Sequence, residues 1–387
     1  MQNAPSIFGY QWCRWRWAGV LAWLTALKLA GAPAAEQYHR YWGDVHGHTI
    51  FSDGKGTAAD YFQYARDVAH LDFVIVTDHD FGHEAPWRMP KAHWQQTQAA
   101  AEQYTVNGRF VAIAGYEWTS QPKYWRGFTN AASEGLFPGP PCYYNHKNVY
   151  FPKPVDYLFS AKDVAYLTPD LLAAAVQRAG GLIQNNHPSA EVEGRDQFDY
   201  DGRWFSVIAN TEMLPDLMRY GGKTYALRGE ETVRGFLNRG GRTGFVGGSD
   251  THEGRPSART AVLATALTRE ALFEALRHRR NYAVSQAQIE LDFKINGHWM
   301  GEEIAVTNPP HLNVAVQGTA KLAEVAVVRN GLVCHRVTPA GNEVRFTWRD
   351  NAFAGAAYYY VRVTQADADE EGNPSRAWSS PLWVKAR

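Results

Sequence analysis

Asp72-Phe-Val-Ile-Val-Thr-Asp-His-Asp80 sets four consecutive apolar residues directly before a run of polar and ionisable ones. An apolar run without alternation, bounded by polar residues, reads as a strand buried on both faces. Its abrupt end in Asp78, His79 and Asp80 marks the place where a core gives way to a polar site. Outward in both directions the same arrangement recurs. Tyr41 to Val45 reads as a strand running into His46-Gly-His48. Phe110 to Gly115 closes on Tyr116-Glu117, and Leu182 to Gln184 closes on Asn-Asn-His187-Pro188. Trp204 to Ala209 is a further strand, and Thr243 to Val246 closes on Gly-Gly-Ser-Asp250-Thr-His252. Helical patterns lie between: Thr57 to Ala69, Pro169 to Ala179 with Thr168 as N-cap, and Arg269 to His278. This alternation predicts an α/β fold, a parallel sheet covered by helices and closed as a barrel.

After residue 285 the rhythm changes. Gln288 to Ile295 alternates with period two and ends in the turn pair Asn296-Gly297. Leu312 to Val316, Glu324 to Val328, Glu343 to Trp348, Tyr358 to Val363 and Leu382 to Val384 repeat the habit, and together they predict a small antiparallel β-sandwich. Between the two patterns of the first part lies an aromatic, Pro-Gly-rich stretch over 118–167, including Tyr124, Trp125, Phe137 and Tyr143. It reads either as a functional loop that helps select substrate or as a surface insertion packed on itself.

The N-terminus stands apart. Arg14 and Arg16 precede the apolar run Ala18 to Leu27, and Ala32-x-Ala34 offers a cleavage pattern, so residues 1–35 read as a signal peptide and the chain as exported, periplasmic or extracellular. Loss of the leader leaves 36 basic against 39 acidic residues, a balance that gives no nucleic-acid surface. No long apolar run follows residue 40, so no membrane span is expected in the mature chain. Cys13 would leave with the leader; Cys142 and Cys334 read as unpaired thiols, and the absence of CxxC leaves metal binding to other residue types.

Six of the 14 histidines fall at these strand ends or in Asn145-His146-Lys147. His46 and His48 stand two apart in extended chain, so both imidazoles face the same way; Asp250 and His252 repeat that spacing. Asp53, in a Ser-Asp-Gly turn, can return a carboxylate toward the same point. Glu117 can bridge two cations through its two oxygens. Neutral imidazole and carboxylate together suit zinc, manganese or iron. Asp78 reads either as a cap of the following turn or as a residue that orients a ligand or accepts a proton. Lys147 and Arg255 are candidates for holding a substrate anion, or else solvated charges. The remaining histidines, His39, His70, His83, His93, His278, His298, His311 and His335, read as surface or packing residues.

Taken together, His46-x-His48 with Ser-Asp53-Gly, Thr-Asp78-His79, Gly-x-Glu117, His146, Asn-His187-Pro and Ser-Asp250-x-His252 resemble the PHP superfamily, the polymerase and histidinol phosphatase group. The motifs span residues 44–252 in that family's order. The resemblance implies a distorted (β/α)7 barrel over 36–284, followed by the β-sandwich over 285–387, with two or three divalent ions as cofactors. Position by position, His46, His48, Glu117 and Asp250 would hold one ion. Glu117 would bridge to a second ion completed by His146 and His187. Asp53, His79 and His252 would hold a third. Asp53 departs from relatives that carry histidine there, which leaves the third position open and favours a harder ion. The activity implied is hydrolysis of a small or polymeric phosphate ester by a metal-bridging hydroxide. Two other readings stay open: an esterase or amidohydrolase-like enzyme, and a non-catalytic, metal-stabilised binding protein.

Overall fold

The computed structural model describes residues 37–80, 89–120, 144–156, 158–188, 197–220 and 223–387. The leader over 1–35, His83, the aromatics from Tyr124 to Tyr143, and Cys142 lie outside the described residues.

The buried strand expected from Phe73-Val-Ile-Val is present. β1 (His39–Asp44), β2 (Phe73–Val76) and β3 (Val111–Ser120) are parallel neighbours. All four residues of β2 are fully buried, because both faces are covered. On one side Phe73 and Ile75 pack with Val45, Val111, Ile113, Leu182 and Val246. On the other, Val74 and Val76 meet Tyr61, Phe62 and Ala65 of helix α1 (Ala58–Asp67), with Ala101 of α2 (Lys91–Tyr104). Thr57 starts α1 with a reciprocal capping box to Asp60.

β4 (Asn145–Tyr150) runs antiparallel between β3 and β5 (Leu182–Asn185). α3 (Pro169–Arg178), capped by Thr168 as expected, leads into β5. β6 (Ile208–Glu212) lies parallel to β5. A hairpin, β7 (Leu217–Tyr220) and β8 (Lys223–Ala226), and then α4 (Gly229–Asn238) precede β9 (Gly244–Val246), which is parallel to β6. On the far side of β1, β10 (Thr260–Ala264) and β11 (Asn281–Val284) flank α5 (Arg269–Arg277) and run antiparallel.

Three sequence expectations change here. The sheet is mixed rather than parallel throughout, since β4 opposes both its neighbours. β3 extends to Ser120, so Glu117 lies inside a strand instead of just beyond one. Trp204 sits in a single 3-10 turn, and the strand expected from it begins only at Ile208. The chain beyond β9 returns to the chain beyond β1: Gly47 and Thr251 form a parallel bridge, with the His48 amide donating to Thr251 at 2.9 Å.

The remaining strands are β12 (Glu290–Ile295), β13 (His298–Trp299), β14 (Glu303–Val306), β15 (His311–Gln317), β16 (Leu322–Arg329), β17 (Leu332–Val337), β18 (Glu343–Arg349), β19 (Ala356–Ala368), β20 (Pro374–Ser379) and β21 (Leu382–Ala386). β13, β12, β15 and β18 form one sheet. The facing strands β14, β21, β19 and β20 join the main sheet where β20 pairs with β11. The core between them holds Leu291, Phe293, Leu312, Val314, Val327, Val361 and Val384. Asn296 and Gly297, both at positive φ (51° and 87°), make the tight turn between β12 and β13. Among the described residues, no helix is long and apolar enough to cross a membrane.

Candidate metal centre

The chain leaving β1 carries His46 and His48 on either side of Gly47. Position 47 has no room for a side chain, since a Cβ there would collide with the buried Tyr61 hydroxyl, and the Gly47 N–H donates to Thr77 Oγ1 at 3.0 Å. Asp44 ties the same segment to the loop after β9 by accepting from the amides of Ser249 and Ser257, each at 3.0 Å. Both histidines are thereby fixed from two sides, and both are fully buried.

Asp78 folds the next turn back. Its carboxylate accepts from the Thr49 amide at 2.7 Å, the Thr49 hydroxyl at 2.6 Å and the Ser52 hydroxyl at 2.7 Å. The turn so held brings Asp53 to within 3.6 Å of His48 Nδ1, 3.5 Å of His79 Nε2 and 3.4 Å of His252 Nε2. Asp78 therefore acts on the site through the loop that carries Asp53. Asp78→Asn leaves one acceptor for three donors, so the loop should loosen and bound metal should fall about tenfold in affinity. Titration of metal into the stripped variant checks this; unchanged affinity would assign Asp78 a capping role alone.

Glu117 sits at the middle. Its Oε1 lies 3.1 Å from His146 Nδ1, 3.3 Å from His187 Nε2 and 3.3 Å from His46 Nε2. Its Oε2 lies 2.8 Å from His79 Nδ1 and 3.7 Å from His48 Nε2. Asp250 reaches His48 Nε2 at 3.0 Å and His46 Nε2 at 3.3 Å. Four groups of potential ligand atoms result: His48, Asp53, His79 and His252; His46, Glu117 and His187; His46, His48 and Asp250; His79, Glu117 and His146. All nine candidate ligands read from the sequence are brought together here. Their grouping is tighter than expected, since His48 joins the Asp53 group and His79 also faces Glu117. Asp250 and His187 hold left-handed backbone, with φ of 49° and 26°. Such geometry in non-glycine residues costs on the order of 1–3 kcal/mol each and collects at functional sites.

The charges answer one another. Burial would lower the His46 imidazole, but Glu212, Asp250 and Glu117 raise it well above its ordinary value. Burial is likewise overcome at His79 by Glu117 and Asp53, and at His187 by Glu117, which takes it to about 9. At His48 burial prevails and lowers it. Glu117 is held well below the usual carboxylate range, against burial, by His146, His79 and His46; Asp53 and Asp250 are lowered in the same way by neighbouring histidines.

The donor set fits divalent cations. His46 Nε2 is buried without a hydrogen-bond partner, although two carboxylate oxygens lie 3.3 Å from it. Its Nδ1 is already taken by Glu212 at 2.8 Å, so the Nε2 lone pair is the one presented to the cluster. Nitrogen and carboxylate donors in this mixture suit first-row divalent ions. Among the described residues the centre is most open at Asp53, His252 and Asp250, whose side chains are 35%, 40% and 41% exposed, while His46 and Glu117 are buried.

Lys147 does not face this centre. It lies between His146 and Asn148 on β4, so its side chain points to the opposite face, where Nζ donates to Asn185 Oδ1 at 2.7 Å and to the Gln197 carbonyl at 2.8 Å. The expectation that it holds substrate is corrected accordingly. Arg255 is exposed, three residues beyond His252. Sequence reading passed over Glu212, which ends β6, and Asn186, whose Nδ2 donates to Glu117 Oε1 at 2.7 Å. It also passed over Thr119, 2.7 Å from His79 Nδ1. The signal for Glu212 was the same polar strand end that marked the candidate ligands.

No family model matches the chain. An uncharacterised protein of Chlamydia trachomatis is 28% identical over 380 residues, covering 89% of this chain and 57% of that protein. Counterparts in Chlamydia muridarum and Chlamydia pneumoniae are 27% and 26% identical, with the same coverage. The chain thus spans little more than half the length of the curated relatives it matches. Among solved structures, it is similar to a two-domain protein of Bacteroides vulgatus containing a predicted PHP-like metal-dependent phosphoesterase. The TM-score is 0.46 at 14% identity, covering 87% of this chain and 94% of that one. Fibronectin(III)-like modules of Clostridium thermocellum CbhA match 24% of the chain and 94% of their own length, with a TM-score of 0.16 and 15% identity.

Proposed function

We propose that this chain is a metal-dependent hydrolase of the PHP type, acting on phosphate esters outside the cytoplasm. One observation carries the reading: Glu117 sets its two oxygens among five histidines drawn from four segments, with Asp53 and Asp250 completing the ligand groups. Divalent ions bound in such a cluster supply an acidified water near neutral pH and positive charge against a developing oxyanion.

The chain's own residues do the rest. His46, His48 and Asp250 form one grip, and His187 and His146 close on Glu117 from the other side. Asp53 and His252 hold the solvent side, where substrate enters. Asp78 positions the loop bearing Asp53. Arg255, exposed beyond His252, is the basic side chain we assign to the substrate anion. With Lys147 turned away, recognition of charge falls mainly to the ions themselves.

Purified protein is expected to carry divalent metal and to release phosphate from a panel of mono- and diesters, with loss on chelation and recovery on adding manganese, zinc or iron. Turnover of carboxylic esters or amides without phosphate release would replace this reading with the amidohydrolase-like one. Bound metal with no turnover on either panel would leave a binding protein.

A further inference from the structure

Glu212 lies beneath the cluster without belonging to any of its ligand groups, and is almost completely buried. It accepts three hydrogen bonds. Oε1 lies 2.8 Å from His46 Nδ1 and takes the Gln184 amide Nε2 at 3.1 Å; Oε2 takes the backbone N–H of His187 at 2.7 Å. The two histidines come from distant parts of the chain, and both face Glu117. His187 holds its left-handed backbone at this bond. Gly248 leaves room for it: a Cβ there would strike Glu212 Oε1 and crowd His46 Cβ.

We infer that Glu212 is the positioning residue of the inner ligand group, fixing the His46 tautomer and seating His187 so that both offer Nε2 to the same point. The inference rests on the metal-centre reading above. Its chemistry follows from counting donors. Every partner of Glu212 donates, so a carboxylate satisfies them all, whereas an amide cannot. In Glu212→Gln, an amide oxygen turned toward His46 sets its NH2 against the His187 N–H and unseats that residue. An amide turned the other way donates to His46 Nδ1, which moves the imidazole proton onto Nε2, the atom that should bind. Either orientation disturbs the group of His46, Glu117 and His187 through one of its two histidines. Neither touches the outer group of His48, Asp53, His79 and His252, with which Glu212 has no bond among the described residues.

The test is metal titration of the chelator-stripped protein, followed by elemental analysis and by nitrogen NMR of the imidazoles. In the native chain we expect at least two classes of site and, once metal is loaded, a His46 resonance pattern of the neutral Nδ1–H tautomer. In Glu212→Gln the tighter-held inner class should weaken about 10- to 100-fold while the outer class keeps its affinity. Glu212→Asp, which retains two acceptor oxygens, should recover part of the loss. Equal affinity in both classes for native and Glu212→Gln protein would overturn the inference and leave the metal centre standing. Equal weakening of both classes would also overturn it, as general loosening of the fold. A native chain that binds no metal would instead overturn the metal-centre reading itself. Gly248→Ala, which drives a methyl group against Glu212, should reproduce the selective loss; a circular dichroism spectrum matching the native one keeps that result interpretable.

Discussion

Glu117→Gln should remove hydrolysis and most bound metal together while leaving the fold in place. The substitution keeps the volume and replaces one charged oxygen by a donor. Glu117 Oε1 faces His146, His187 and His46, and Oε2 faces His79, so the new NH2 must confront at least one imidazole nitrogen needed for binding. The Asn186 amide, which now donates to Oε1 at 2.7 Å, would oppose it as well in one orientation. The electrostatic effect is larger. The carboxylate is the leading group keeping His79 and His187 raised against burial, and it adds to Glu212 and Asp250 in raising His46. It is also the group shared by two ligand sets, so both lose an anionic donor at once. Changing residues that only support ligands commonly costs 10–100-fold in affinity or activity. A ligand shared between two sets should exceed that, and we expect turnover to fall by at least about a thousandfold, the upper end of the range for one electrostatic contact. Elemental analysis, phosphate release and a thermal melt measured on one preparation decide the matter. Native metal content with native turnover would remove Glu117 from the centre.

Much of this centre was legible because a strand has a period of two. His46 and His48 share a face by standing two apart, whereas Asp250 and His252, expected to do the same, lie in the loop beyond β9 with Asp250 in left-handed backbone and enter different ligand groups. The buried β2 announced its own polar end, and Asp53 returned to the cluster through the Ser-Asp-Gly turn. The same period explains the failure at Lys147. A residue next to a ligand in a strand points away from it, but this required knowing that Asn145–Tyr150 is a strand. Asn-His-Lys-Asn-Val-Tyr has no apolar run and no helical spacing, and its extended form depends on pairing with β3 and β5 on either side. Glu212 was missed for a related reason. Ending the strand at Ala209 left Asn210, Thr211 and Glu212 as loop, though β6 runs through them. The β-sandwich was readable from local alternation, as in β15, where every second residue is buried. Its junction to the main sheet was not, because β11 and β20 meet across a separation of about 95 residues that no local pattern encodes.

Removal of metal should invert how stability depends on pH. In the stripped protein His187 has a folded value of about 9 against an ordinary 6.5, with burial opposing the shift and Glu117 driving it. A group raised on folding contributes stability that is complete below its unfolded value and is lost as pH rises through the folded one. The stripped chain should therefore be most stable near pH 6 and weaken up to about pH 9, by on the order of 3 kcal/mol from this histidine. His46 and His79, raised in the same direction, add to the slope. Glu117 and Asp250, lowered on folding, act oppositely and only in acid, where protonation removes their contribution. Metal reverses the sign over the upper window. A bound imidazole must be neutral at the donating nitrogen, so binding releases protons and tightens as pH rises. At a thousandfold excess over Kd, metal adds about 4 kcal/mol to the folded state. Thermal melts from pH 6 to 9, with chelator and with manganese or zinc, should thus diverge, the chelated midpoint falling and the gap between the curves widening. A chelated midpoint that climbs with pH, or two curves that coincide throughout, would mean that these histidines are not assembled around cations.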